Sequence, residues 1–229
     1  MNVEVLADKE AVAQRASELL AAATGHVALA GGSTPKRTYA LAAERRSDWR
    51  GVTLWLGDER HLPLTDPDSN ACMVREELLT RLPRETVPRF ELVDTGCDVE
   101  GAAADYGRRL RAALGDDGAL DLALMGLGPD GHTASLFPGK PAVDERHHWA
   151  AAVLEAGMEP QVPRVTLTLP VFNGAKLVVF VVAGEDKAEA MARAFGDPPD
   201  TTAPAALVRP APGTLLVLAD EAAASRLTA

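Results

Sequence analysis

Asp130 and His132 stand two residues apart in a glycine-rich turn, Gly126-Leu127-Gly128-Pro129-Asp130-Gly131-His132, directly after the apolar run Leu120 to Met125. In open α/β sheets, ligand-binding groups lie beyond the carboxyl ends of the strands, so a strand that empties into an acid and an imidazole marks a place for chemistry. An imidazole can take a proton near neutral pH, and an acidic neighbour can orient it. The turn also spells GxGxxG, but Pro129 lies inside it and Pro138-Gly139 interrupts the long helix a dinucleotide site needs. It falls midway along the chain instead of in an opening βαβ unit, so we read the dinucleotide letters as coincidence.

A second constellation could hold an anion. In Gly31-Gly32-Ser33-Thr34-Pro35-Lys36 a strand hands over to a helix. Two glycines let the backbone approach a ligand, the helix start presents free N–H groups, and the two hydroxyls add donors to phosphate oxygens. The alternative is an ordinary tight turn with Ser33 or Thr34 as N-cap. The Walker A spacing is absent, and Pro35 stands where a serine-hydrolase elbow needs its second glycine. Asp58-Glu59-Arg60-His61 closes another strand, where Asp58 and Arg60 suit a polyhydroxylated, phosphorylated ligand; a solvated charged turn is the plainer reading. Nothing nearby completes a metal ligand set, and no metal is expected. Arg164, beginning a strand, and Lys187, at a helix start where a cation opposes the helix dipole, are further cationic candidates.

These residues need a scaffold, and the apolar periodicity supplies one. Helices are expected over 9–23, from Pro35 to about Ala43, from an N-cap at Ser69 through Leu79, over Val99 to Leu114 and over Glu185 to Phe195. Strands are expected at His26 to Ala30, Val52 to Leu56, Leu120 to Met125, Trp149 to Leu154, Val165 to Leu169 and Leu177 to Val182, with Leu215 to Leu218 closing the sheet. Strand–helix alternation with continuously apolar strands means an α/β, Rossmann-like fold, a mostly parallel sheet flanked by helices on both faces. The Pro-rich stretch Asp197 to Pro212 reads as a loose surface loop, and residues 1–229 as one domain.

The net charge of −10 argues against nucleic acid or an anionic membrane as partner, while a local cluster of Arg and Lys still allows an anionic small substrate. Cys72 and Cys97 show neither CxxC nor zinc spacing and read as packing residues in a reducing compartment. With no signal-like N-terminus and no apolar window long enough to span a bilayer, a cytoplasmic protein is expected. No exposed apolar stripe stands out, and a monomer is expected.

Five segments in register, LAGGSTPKRTY (29–39), WLGDERHLPLTDPDSN (55–70), MGLGPDGHTASLFP (125–138), PRVTLTLP (163–170) and VVAGEDKAEAM (181–191), resemble the 6-phosphogluconolactonases, part of a wider group that contains the glucosamine-6-phosphate deaminases. The resemblance implies a carboxylic ester hydrolase of the oxidative pentose phosphate pathway that converts 6-phospho-D-glucono-1,5-lactone to 6-phospho-D-gluconate. It implies His132 as the general base that activates water, and Asp130 as its neighbouring acid. Gly31, Gly32, Ser33, Thr34, Asp58, Arg60, Arg164 and Lys187 would hold phosphate and sugar oxygens, with no cofactor. In deaminases the segment after the histidine typically reads IAFNEP, and its Glu serves the proton relay; here it reads TASLFP, with Phe137 at that place, and the Asp-Glu-Tyr of that group is Asp58-Glu59-Arg60. A deaminase-like isomerase and a non-catalytic sugar-phosphate sensor are the alternatives.

Overall fold

The computed structural model describes residues 1–116 and 118–227. In chain order the elements are β1 (Asn2–Leu6), α1 (Lys9–Ala22), β2 (Gly25–Leu29), α2 (Ser33–Arg45), β3 (Val52–Leu56), β4 (Asp58–Arg60), α3 (Asn70–Glu77), β5 (Arg89–Phe90), α4 (Val99–Leu114), β6 (Leu122–Gly126), β7 (Ala150–Val153), β8 (Arg164–Leu167), α5 (Leu169–Gly174), β9 (Leu177–Val182), α6 (Ala188–Phe195), β10 (Thr214–Asp220) and α7 (Glu221–Ala224). The helix starts follow capping chemistry: Asp8, Ser69 and Asp98 each accept an N–H from the first turn of α1, α3 and α4.

Among the described residues seven parallel strands form the main sheet, in the order β1-β10-β9-β6-β2-β3-β5. From β2 the chain winds outward through β3 and β5; from β6 it winds the other way through β9 and β10. The switch point therefore lies between β2 and β6, the place where open α/β sheets bind ligands. Alternate residues of the continuously apolar strands serve two cores. Val178, Phe180 and Val182 of β9 face Tyr106, Phe172 and Met191 on one side, while Val179 and Val181 join Val12, Leu20 and Tyr39 on the other. Both faces are covered, which is why these strands read as runs and not as alternations.

Three expectations need correction. β10 does not close the sheet, because β1 pairs outside it with Asn2 opposite Leu216 through Leu6 opposite Asp220. The strands around 150–153 and 164–167 do not join the main sheet; with β4 they make a separate antiparallel sheet, β4-β8-β7. Gly57 is the branch point: its N–H donates to the Leu29 carbonyl of the main sheet, and its carbonyl accepts the Leu167 N–H of the small one. The Pro-rich stretch is no loose surface loop either. Ala203, Pro204, Ala205, Ala206 and Val208 are buried, and the Ala205 N–H bonds the Gly131 carbonyl, so this segment packs behind the Asp-Gly-His turn. Small side chains packed at this density carry little of the periodic signal that marks a buried element.

Candidate active site

Three ends of main-sheet strands and the small sheet converge on one cavity of about 290 Å³. From the end of β2 come Gly31, Gly32, Ser33 and Thr34; from β4, Asp58 and Arg60; from the end of β6, Gly128 and His132; from β8, Arg164; and beyond β9, Lys187. The structure thus gathers in one wall the binding residues picked out by sequence, from both sides of the switch point. Asp130 is the exception: it is not part of the lining and stands beside His132.

The imidazole is set by two contacts. Its Nδ1 lies 2.5 Å from Asp130 Oδ1, which also accepts the His132 backbone N–H at 3.0 Å. Burial works to raise the Asp130 pKa, but the hydrogen bonds from His132 outweigh it and hold the carboxyl below its usual range. An ionised Asp130 fixes the Nδ1–H tautomer and leaves Nε2 as the basic nitrogen. Phe137, buried, packs against the imidazole with ring centroids 4.6 Å apart. Gly128 makes the approach possible, since a Cβ there would stand 2.0 Å from His132 Nδ1.

The wall that could hold an anion starts at α2, whose first residue is Ser33. Gly32 is its cap residue and no side chain caps it, so neither Ser33 nor Thr34 serves as N-cap and the helix start faces the cavity with its N–H groups free of a side-chain acceptor. Tyr39 of α2 anchors this loop by donating to the Ala30 carbonyl at 2.6 Å. Lys9 adds a cation that sequence reasoning missed, its Nζ 2.9 Å from Ser33 Oγ. Among the described residues Lys187 Nζ pairs only with the exposed Asp186, at 3.1 Å.

Arg60 and Arg164 face each other across β4 and β8. Arg60 donates to the Asp68 carbonyl; Arg164, 2% exposed, donates through Nη2 to the carbonyls of Met158 (2.9 Å) and Pro160 (3.1 Å) and lies over the Phe137 ring. Among the described residues the Nε atoms of both are buried without a partner. Burial lowers the Arg164 pKa, with Asp58 acting against the shift and Arg60 adding to it; a guanidinium nonetheless stays charged at neutral pH. Two facing cations with unmet donors are suited to an anion.

Asp58 is buried and accepts from Ser135 Oγ at 2.6 Å, with Asn70 Nδ2 3.4 Å away and bonded to its carbonyl at 2.8 Å. Asn70 lines the cavity and was missed; its only signal was its place directly after the N-cap Ser69. Ser135 carried no signal. Glu59, fully buried, points away from the cavity. Its carboxylate accepts from the Arg60, Asn70 and Ala71 N–H groups and from Ser69 Oγ, so it fastens β4 to the start of α3. Burial pushes its pKa up against those four bonds. Among the described residues no group of three or more His, Cys, Asp or Glu side chains could hold a metal ion.

Fold and cavity together define a doubly wound α/β protein that pairs an uncapped helix start with an acid–imidazole couple at the switch point. The chain belongs to the family of glucosamine-6-phosphate isomerases and 6-phosphogluconolactonases, whose pattern matches residues 4–217. It is 40% identical over 228 residues to the human 6-phosphogluconolactonase, covering 95% of this chain and 87% of that protein. With the 6-phosphogluconolactonase of a Nostoc species it shares 36% identity, over 99% of this chain and 98% of the relative. The solved structure of the Leishmania guyanensis 6-phosphogluconolactonase superposes with a TM-score of 0.87 at 28% identity, covering 100% and 99% of the two chains. A monomeric glucosamine-6-phosphate deaminase shares the fold, with a TM-score of 0.83 at 21% identity over 99% of this chain and 100% of that one. No helix among the described residues is long and apolar enough to cross a membrane.

Proposed function

We propose that this protein hydrolyses 6-phospho-D-glucono-1,5-lactone to 6-phospho-D-gluconate, the second step of the oxidative pentose phosphate pathway, as a single-domain cytoplasmic monomer. The observation that carries this reading is the meeting of an Asp-oriented imidazole with a cationic, N–H-rich wall in one cavity. The phosphate rests on the Gly31–Thr34 loop with Arg60 and Lys187, and Arg164 supplies a further donor. Asp58 accepts from sugar hydroxyls.

His132 Nε2 takes a proton from water as its oxygen bonds to the lactone carbonyl carbon. The cations of the wall offset the charge that gathers on the carbonyl oxygen. As the tetrahedral intermediate collapses, the C–O bond to the ring oxygen breaks, and the imidazolium returns its proton to that oxygen. Water and lactone are thereby converted to the open hydroxy acid, which ionises. Asp130 keeps its negative charge throughout and stabilises the imidazolium. A reactive ester needs no covalent nucleophile, and positioning plus a base suffices.

The deaminase reading is disfavoured by Phe137, whose ring fills the space beside His132 where a relay carboxylate would stand. The test is a coupled assay in which glucose-6-phosphate dehydrogenase makes the lactone and 6-phosphogluconate dehydrogenase reports its hydrolysis. Acceleration over the spontaneous rate that disappears in His132→Ala supports the reading. Phosphosugar binding without acceleration overturns it in favour of the sensor.

A further inference from the structure

The turn that carries Lys187 is held from outside the cavity. β9 ends at Val182, and Gly184 follows with φ +104° and ψ 147°, a conformation essentially restricted to glycine. The Gly184 N–H meets the Asp220 carboxylate, 3.1 Å from Oδ1 and 3.0 Å from Oδ2. The Gly184 carbonyl accepts the Lys187 N–H at 3.0 Å. Asp220 ends β10, the neighbour of β9, is buried, and also caps α7 by accepting the Ala223 N–H at 2.8 Å. It lies outside the cavity lining, and among the described residues it forms no salt bridge.

We propose that Asp220 is the positioning residue for Lys187 and through it sets the preference for phosphorylated over unphosphorylated lactones. This rests on reading Lys187 as a phosphate anchor. The solvent-exposed Asp186 is a weak local partner for the Lys187 cation, and the dipole at the start of α6 opposes it. The placement must be imposed, and the hydrogen-bonded chain from carboxylate to Gly184 to Lys187 imposes it. A carboxylate-to-amide bond is stronger than a neutral one. Without it the most permissive residue in the turn is released, and Lys187 loses its fixed reach into the cavity.

The experiment compares KM and kcat for 6-phosphogluconolactone and for glucono-1,5-lactone in Asp220→Ala, Asp220→Asn, Lys187→Ala and the double variant Asp220→Ala/Lys187→Ala. Asp220→Ala is expected to raise KM for the phosphorylated lactone about tenfold with kcat within about twofold, and to leave the unphosphorylated lactone unaffected. Asp220→Asn keeps one oxygen acceptor and recovers most of the loss, to about threefold. The double variant is no worse than Lys187→Ala, because both changes remove one interaction. If Asp220→Ala does not fold, Asp220→Asn and its pairing with Lys187→Ala carry the same comparison. Equal KM rises for both lactones, or penalties that add in the double variant, overturn the proposal. If Lys187→Ala itself leaves KM unchanged, the phosphate-anchor reading fails, and this link falls with it.

Discussion

Any side chain at residue 128 would collide with the His132 ring, because a Cβ there lies 2.0 Å from Nδ1. The glycine spacing that imitates a dinucleotide fingerprint is thus explained by an imidazole and not by a pyrophosphate. Gly128→Ala is expected to break the Asp130 contact and lower kcat by about 10² while the protein still folds; unchanged turnover would show that the imidazole can do its work from another position. On the proposed mechanism His132→Ala removes the general base, and kcat should fall by about 10²–10⁴ after the spontaneous rate is subtracted. Phe137 belongs to the same scale. Packed on His132 and beneath Arg164, it holds both side chains in place without offering either a proton.

At the scale of elements, Glu59 joins β4 to α3, and so joins Arg60 to Asn70. Glu59→Gln turns one of its acceptor oxygens into a donor that faces other donors. Stability should drop by about 1–3 kcal/mol in denaturant titration, and a null result would mean the hub carries no strength. Acid should loosen the back of the site. Hydrogen bonds from Thr202 and Arg193 hold Asp200 at about 2, and Asp130 is held low by His132. For such depressed carboxyls the stabilising contribution is complete above the unfolded value, about 4. It is lost as pH falls through the folded values. Melting temperature should therefore fall between about pH 4 and pH 2, by scanning calorimetry, and Asp200→Asn should flatten that slope. The elements differed in how legible they were from sequence. α4 and β3 were readable to the residue because one is amphipathic with a clean cap and the other is buried on both faces. β1 was not: Asn2, Val3, Glu4, Val5 and Leu6 form a short edge strand whose alternation is too brief to announce itself. Neither was the separate small sheet: β7 carries nothing that sets it apart from a main-sheet strand, and β4 is three charged residues that read as a turn. Asn70 and Ser135 reach Asp58 by tertiary packing, which local spacing does not encode.

At the scale of the molecule, a chain of net charge −10 keeps two arginines opposed in one cavity with buried, unmet donors. Filling that cavity with an anion should stabilise the whole fold. At a hundredfold excess over its Kd, 6-phosphogluconate is expected to add about 2.7 kcal/mol and raise the melting temperature by about 5–10 °C. Gluconate at the same concentration should do much less. Equal shifts from both would take the phosphate out of the binding scheme.

Helix α6 has one more consequence. It starts beside Lys187, and further along it Arg193 reaches back to the Asp130 carbonyl, Nη1 to oxygen 3.3 Å. One helix therefore links the turn of Lys187 to the turn bearing His132. From residue 188 to 193 the helix rises about 7.5 Å along its axis. On the proposed function this helix would act as a ruler, fixing the interval between the phosphate and the reacting carbonyl while Asp58 meets the hydroxyls between them. A pentonolactone 5-phosphate, one carbon short, can satisfy either mark but not both, and its kcat/KM should be lower by about 10².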